Sequence, residues 1–113
     1  MRKTAAALAV AAVCIPVASS DARPAATYTL SASGTALKFN KSTIRAKAGK
    51  VTLRLNNRSR LPHNIGVKGK GVSKTVTRGS ARKTFRLRRG TYTFYCGVGS
   101  HERQGMRGRL IVR

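Results

Sequence analysis

The sequence predicts an all-β domain, an antiparallel two-sheet β-sandwich of seven to eight strands. Three observations predict it. After residue 26, apolar and polar residues alternate with period two over most of the chain, as in strands buried on one face. Gly-centred turn signals divide these runs at short intervals. Past the first 22 residues, no apolar period of a helix persists for a useful length.

The runs follow in order. Tyr28, Leu30 and Ala32 alternate with Thr and Ser, and Ser33-Gly34 ends the run. Leu37 and Phe39 flank Lys38, which reads as a second strand. Beyond the turn Ala48-Gly49-Lys50, Val51, Leu53 and Leu55 alternate with Thr52, Arg54 and Asn56. Lys68-Gly69-Lys70-Gly71 and Arg78-Gly79-Ser80 are further turns. Phe85 and Leu87 then alternate with Thr84, Arg86 and Arg88, up to Arg89-Gly90. Tyr92, Phe94 and Cys96 share one face opposite Thr91, Thr93 and Tyr95, and Leu110 and Val112 close the chain between Arg109 and Arg113. Such short strands bury their apolar sides only when two sheets face each other.

The first residues read as a leader. Arg2 and Lys3 precede the apolar stretch Ala5 to Val17, and small residues follow, with Ala18-Ser19-Ser20 or Ser20-Asp21-Ala22 as cleavage sites. That layout is a secretory signal peptide. The stretch is short for a transmembrane helix, and nothing later resembles one. The expected organisation is a signal peptide over 1–22, a linker over 23–26 and one domain over 27–113, placing the mature chain in the periplasm or outside the cell. Cys14 reads as filler of the apolar stretch. Lipid anchoring there is the weaker reading, because Val13 stands where a small residue is expected.

The charge is extreme. The 113 residues hold 24 Lys and Arg against 2 Asp and Glu, a formal net charge of +22. Removing 1–22 takes away Arg2, Lys3 and Asp21 and leaves +21. Self-repulsion at that charge favours a monomer, and the surface attracts acidic proteins, anionic envelope polymers, lipid head groups or nucleic acid. The basic residues sit at outward positions of the runs and so belong to the folded surface. Asn40-Lys41-Ser42 and Asn57-Arg58-Ser59 match the glycosylation sequon, which has meaning only in a eukaryotic secretory route.

Past the leader there remain one Cys, two His and one Met. Cys96, His101 and Met106 form a Cys-x4-His-x4-Met run, and His63 lies upstream in Pro62-His63-Asn64. Two imidazoles and a thiolate with a weak axial thioether are the ligand set of an electron-transfer copper site. Cys96 ends a strand, and His101 and Met106 lie on the loop after it, so one segment can wrap three ligands around an ion. His63 must then come from another loop at the same end of the sandwich. Zinc fits less well, because structural zinc sites draw on more Cys or His and avoid Met. A metal-free domain of the same shape is the competing reading. Glu102, the one acid past the leader, is expected to pair with a nearby Arg such as Arg103 or Arg107.

Gly90 to Val112, GTYTFYCGVGSHERQGMRGRLIV, resembles the C-terminal ligand segment of the cupredoxins, the plastocyanin, azurin and rusticyanin group. Pro62-His63-Asn64 resembles the first-ligand motif, and Leu37 to Val67 resembles the middle strands. The resemblance covers most of Leu37 to Val112. It implies a Greek-key sandwich and one type 1 (blue) copper held by His63, Cys96, His101 and Met106. It also implies that Asn64 hydrogen-bonds across to the cysteine loop. The spacing from Cys96 to His101 is longer than in plastocyanin and nearer the rusticyanin-like arrangement.

These residues favour a carrier of single electrons for an acidic redox partner over an enzyme. Copper oxidases and nitrite reductases need further His ligands, and both histidines are committed. Serine-type hydrolysis lacks a free His with an acid to orient it, and paired-carboxylate chemistry cannot run on one acid. Copper storage or delivery is a weaker alternative, since such proteins often carry Met-rich or multiple-His segments. A cationic secreted protein that binds anions is a further one.

Overall fold

Alternating runs sort their side chains onto two faces, and the apolar faces of two sheets meet in one core. The computed structural model describes residues 25–113, so the expected leader, its cleavage sites and Cys14 lie outside the described residues. The strands are β1 (Ala26–Ala32), β2 (Thr43–Ala46), β3 (Gly49–Asn57), β4 (Gly66–Val67), β5 (Gly71–Val72), β6 (Gly79–Leu87), β7 (Gly90–Tyr95) and β8 (Arg107–Val112). Among the described residues there is no helix. One sheet has the order β1-β3-β6 and the other β2-β8-β7-β4-β5. Leu30, Val51, Leu53, Leu55, Phe85 and Leu87 from the first pack against Ile44, Val67, Phe94, Leu110 and Val112 from the second, all buried.

The sheets are mixed, where the sequence predicts antiparallel pairing throughout. β1 runs parallel to β3, and β2 parallel to β8; the other strand pairs are antiparallel. The cause is the crossover between β1 and β3. The chain leaves β1, returns through β2 in the opposite sheet, and re-enters the first sheet running in its original direction. A parallel pair needs such a long connection. Alternation reports which face is buried and is blind to the direction of the neighbouring strand.

Two segments differ from the expected strands. Leu37 to Phe39 forms no strand; Phe39 instead plugs the core from the loop, its ring centroid 5.7 Å from that of Phe94. β2 occupies Thr43–Ala46, where Ile44 and Ala46 point inward, a run too short to stand out by alternation.

Ala26 and Arg113 lie at the pole opposite the metal-ligand candidates. Ala26 pairs with Val51 near the start of β3, and the Ala48 N–H donates to the Arg113 carbonyl at 2.7 Å. The connections that carry residues 58–65 and 96–106 leave the other ends of these strands.

Candidate metal centre

Cys96 follows β7 directly. In β7 the burial alternation brings Phe94 into the core, and the same parity brings Cys96 in, fully buried. The Cys96 N–H donates to the Met106 carbonyl at 3.0 Å, and the Met106 N–H donates to the His101 carbonyl at 3.0 Å. The loop between β7 and β8 therefore folds back on itself, with Met106 fully buried and His101 half-buried. Turn bonds within it, such as the His101 N–H to the Val98 carbonyl at 3.0 Å, fix its course.

His63 arrives from the connection between β3 and β4. It forms a two-way main-chain bridge with Val76, its N–H donating to the Val76 carbonyl at 3.0 Å and its carbonyl accepting at 2.9 Å. Asn57 braces this connection: its Nδ2 donates to the Leu61 carbonyl at 2.8 Å and to the Val76 carbonyl at 2.7 Å. Its Oδ1 accepts from the Ser59 N–H at 3.0 Å and hydroxyl at 2.7 Å. Asn57 and Ser59 are both buried, so this sequon match is structural and closed to modification.

The three strong-ligand candidates converge. His63 Nδ1 lies 3.3 Å from His101 Nδ1, Cys96 Sγ lies 3.9 Å from His63 Nδ1, and Cys96 Sγ lies 3.6 Å from His101 Nδ1. The centre of a triangle with these sides is about 2.1 Å from each corner, the length of a bond from imidazole nitrogen to a transition metal. Two ring nitrogens at that separation cannot both carry protons. With both lone pairs turned inward to an ion, each proton would sit on Nε2. The His63 Nε2 is buried and has no hydrogen-bond partner among the described residues. Burial, and next to it the charge of His101, pushes the His63 pKa below 6.5, which keeps the imidazole neutral, the form that binds metal. Soft sulfur and imidazole nitrogen in one trigonal set fit copper.

Asn64 bonds across to the loop that carries Cys96. Its Oδ1 accepts the Gly97 N–H at 2.6 Å, its Nδ2 donates to Thr75 Oγ1 at 3.2 Å, and its main-chain N–H points at Cys96 Sγ at 3.5 Å. Glu102 departs from the expected Arg pairing: it bonds Lys68 Nζ at 2.7 Å, and Lys68 also lies over the Tyr95 ring, 4.6 Å from its centroid. The roles of Asn57, Val76 and Lys68 escaped the sequence reading, because each acts across strands through contacts that spacing does not reveal.

The sequence profile of the Cupredoxin-like domain family matches residues 4–112. No curated protein sequence matches the chain. Among solved structures, auracyanin A, a "blue" copper protein from Chloroflexus aurantiacus, aligns with a TM-score of 0.69 at 22% identity, covering 80% of this chain and 100% of its own. The reduced auracyanin of Roseiflexus castenholzii gives 0.70 at 24% identity, covering 80% and 99%. Amicyanin from Paracoccus versutus gives 0.58 at 22%, covering 83% and 88%. At these identities the structures share the fold. With the profile spanning nearly the whole sequence and the two sheets closing on a converged His, Cys and His, this chain belongs to the cupredoxin-like domain family.

Proposed function

We propose that this protein binds one type 1 copper through His63, Cys96, His101 and Met106 and carries single electrons between redox partners. The observation that supports it is the meeting of two Nδ1 atoms and one cysteine sulfur within 4.8 Å of one another in a cupredoxin fold. A bound copper supplies one-electron exchange between Cu(I) and Cu(II). The chain supplies the rest. Buried Cys96, His63 and Met106 exclude water from the ligand set. The Asn64 bonds hold the two ligand-bearing loops together, and such outer contacts orient ligands. His101, the more exposed imidazole, is the edge through which a partner exchanges electrons.

The positive surface steers an acidic redox partner, so electron transfer to it slows as ionic strength rises. Both histidines serve as ligands, which leaves a carrier rather than an enzyme. The domain over 27–113 acts as a monomer after export to the periplasm or cell exterior, with residues 1–22 as the signal peptide. No helix of the described residues is long and apolar enough to cross a membrane.

Adding Cu(II) to the purified protein should produce an intense visible thiolate-to-copper band. Cys96→Ser should abolish the band while leaving the far-ultraviolet circular dichroism unchanged. A colourless Cu(II) complex of the wild-type protein would overturn the reading.

A further inference from the structure

The connection that brings His63 to the site also carries Arg58 and Arg60, and the segment bridged to His63 at Val76 runs on to Arg78. These three arginines line one groove of about 310 Å³, with Thr35 and Leu61 in its wall. Folding gains little from the arrangement. Arginine stays charged in proteins, so three such cations around one groove repel each other. Among the described residues, none of the three guanidinium groups has a hydrogen bond or an ion pair. Acid is not at hand: Glu102 is the one acidic side chain among the described residues, and it is bonded to Lys68. The backbone beneath the arginines is nevertheless fixed. The Arg58 N–H donates to the Ala32 carbonyl at 2.8 Å. Arg60 stands between Ser59 and Leu61, and the Leu61 N–H donates to the Ser59 hydroxyl at 3.1 Å. Arg78 stands between Val76, whose carbonyl accepts from His63 and Asn57, and Gly79, which pairs with Asn57. Asn57 thus ties the two arginine-bearing segments to each other. Guanidinium forks on a fixed frame lose less freedom on engaging a ligand.

We propose that this groove receives a carboxylate-bearing segment of the redox partner, with Asp or Glu side chains accepting N–H bonds from the guanidinium forks. Arg matches carboxylates in this way, two bonds at a time. That choice of partner rests on the carrier function proposed above. The groove is built on the connection that bears His63, so a protein anchored in it stands at the metal pole. Leu61 is half-buried and Pro62 exposed. They offer apolar contact beside the charges, which the side chains of a protein can use and a free oxyanion cannot. Other polyanions fit less well. No aromatic side chain lines the groove to stack on single-stranded bases, and a bilayer presents a plane where this surface is concave.

The test is the fluorescence anisotropy of a dye-labelled hexaglutamate peptide, titrated with the full chain at low ionic strength and without added metal. The groove variant carries Arg58→Gln, Arg60→Gln and Arg78→Gln. A charge-matched control carries Arg45→Gln, Arg89→Gln and Arg109→Gln, all exposed and none lining the groove. The groove variant should bind the peptide roughly tenfold more weakly than the control. It should melt no lower than the control, since its three side chains are exposed and hold no partner among the described residues. Equal loss in both variants would mean bulk charge alone and overturn the proposal. So would a groove-variant loss that is larger for a dye-labelled thymidine hexanucleotide than for the peptide. Because no metal is added, a missing thiolate-to-copper band leaves the peptide result standing. A normal band beside equal losses overturns the groove and leaves the carrier reading intact.

Discussion

The Asn64 carboxamide oxygen accepts the Gly97 N–H at 2.6 Å, so one side chain ties the loop of His63 to the loop of Cys96. Asn64→Ala leaves the Gly97 N–H and the Thr75 hydroxyl without this partner. The variant should lose about 1–3 kcal/mol in urea unfolding of the metal-free protein. Its copper affinity, measured by competition with a chelator, should fall roughly 10- to 100-fold. Wild-type affinity in this variant would show that the cross-loop bond does not organise the ligands.

Acidity should unfold the metal-free protein through His63. Its folded pKa lies below 6.5, chiefly because it is buried and secondarily because His101 is beside it. Between the folded pKa and 6.5 the unfolded chain binds a proton that the folded chain does not. Stability therefore rises with pH across that window, levels off above it, and is lost as pH falls through it. Urea midpoints at about pH 5 and about pH 7.5 measure the slope, and His63→Gln should reduce it. An unchanged slope in that variant would refute the assignment.

Gly108 lies where a side chain has no room. A Cβ there would run into the Phe94 ring and the Ser42 carbonyl, and Phe94 is fully buried and cannot retreat. Gly108→Ala should cost about 1–3 kcal/mol through overpacking, seen as a lower urea midpoint. A variant as stable as wild type would show that β8 shifts freely at this point.

The Lys68–Glu102 pair should contribute little to stability. Lys68 is 50% exposed and Glu102 20%, so a double-mutant cycle with Lys68→Met and Glu102→Gln should return under about 1 kcal/mol, and less at high salt. A coupling of several kcal/mol would mean that the pair is a structural clamp on the ligand loop.

Side-chain types and spacing carried much of the architecture and of the candidate site. Alternation located the core positions of β1, β3, β6, β7 and β8, because a strand buried on one face must show its period in sequence. Rarity located the ligand candidates: with one Cys, two His and one Met past residue 22, there was little else to choose. Strand direction stayed hidden, since Val51 is apolar whether β1 lies parallel or antiparallel beside it. Phe39 was misplaced because an apolar residue alternating with Lys38 fits a strand and a core-plugging loop equally. The role of Asn57 was hidden behind a short motif; only its burial and its two donor bonds distinguish a brace from a modification site.

Ala26, beside Val51, and Arg113, bonded to Ala46 and Ala48, share the pole remote from His101. Anything joined after residue 113, such as a tag, a dye or an electrode linker, is thus attached on the side away from the imidazole edge. Immobilisation through the C-terminus should present that edge outward, so oriented films for direct voltammetry require no redesign of the metal loops.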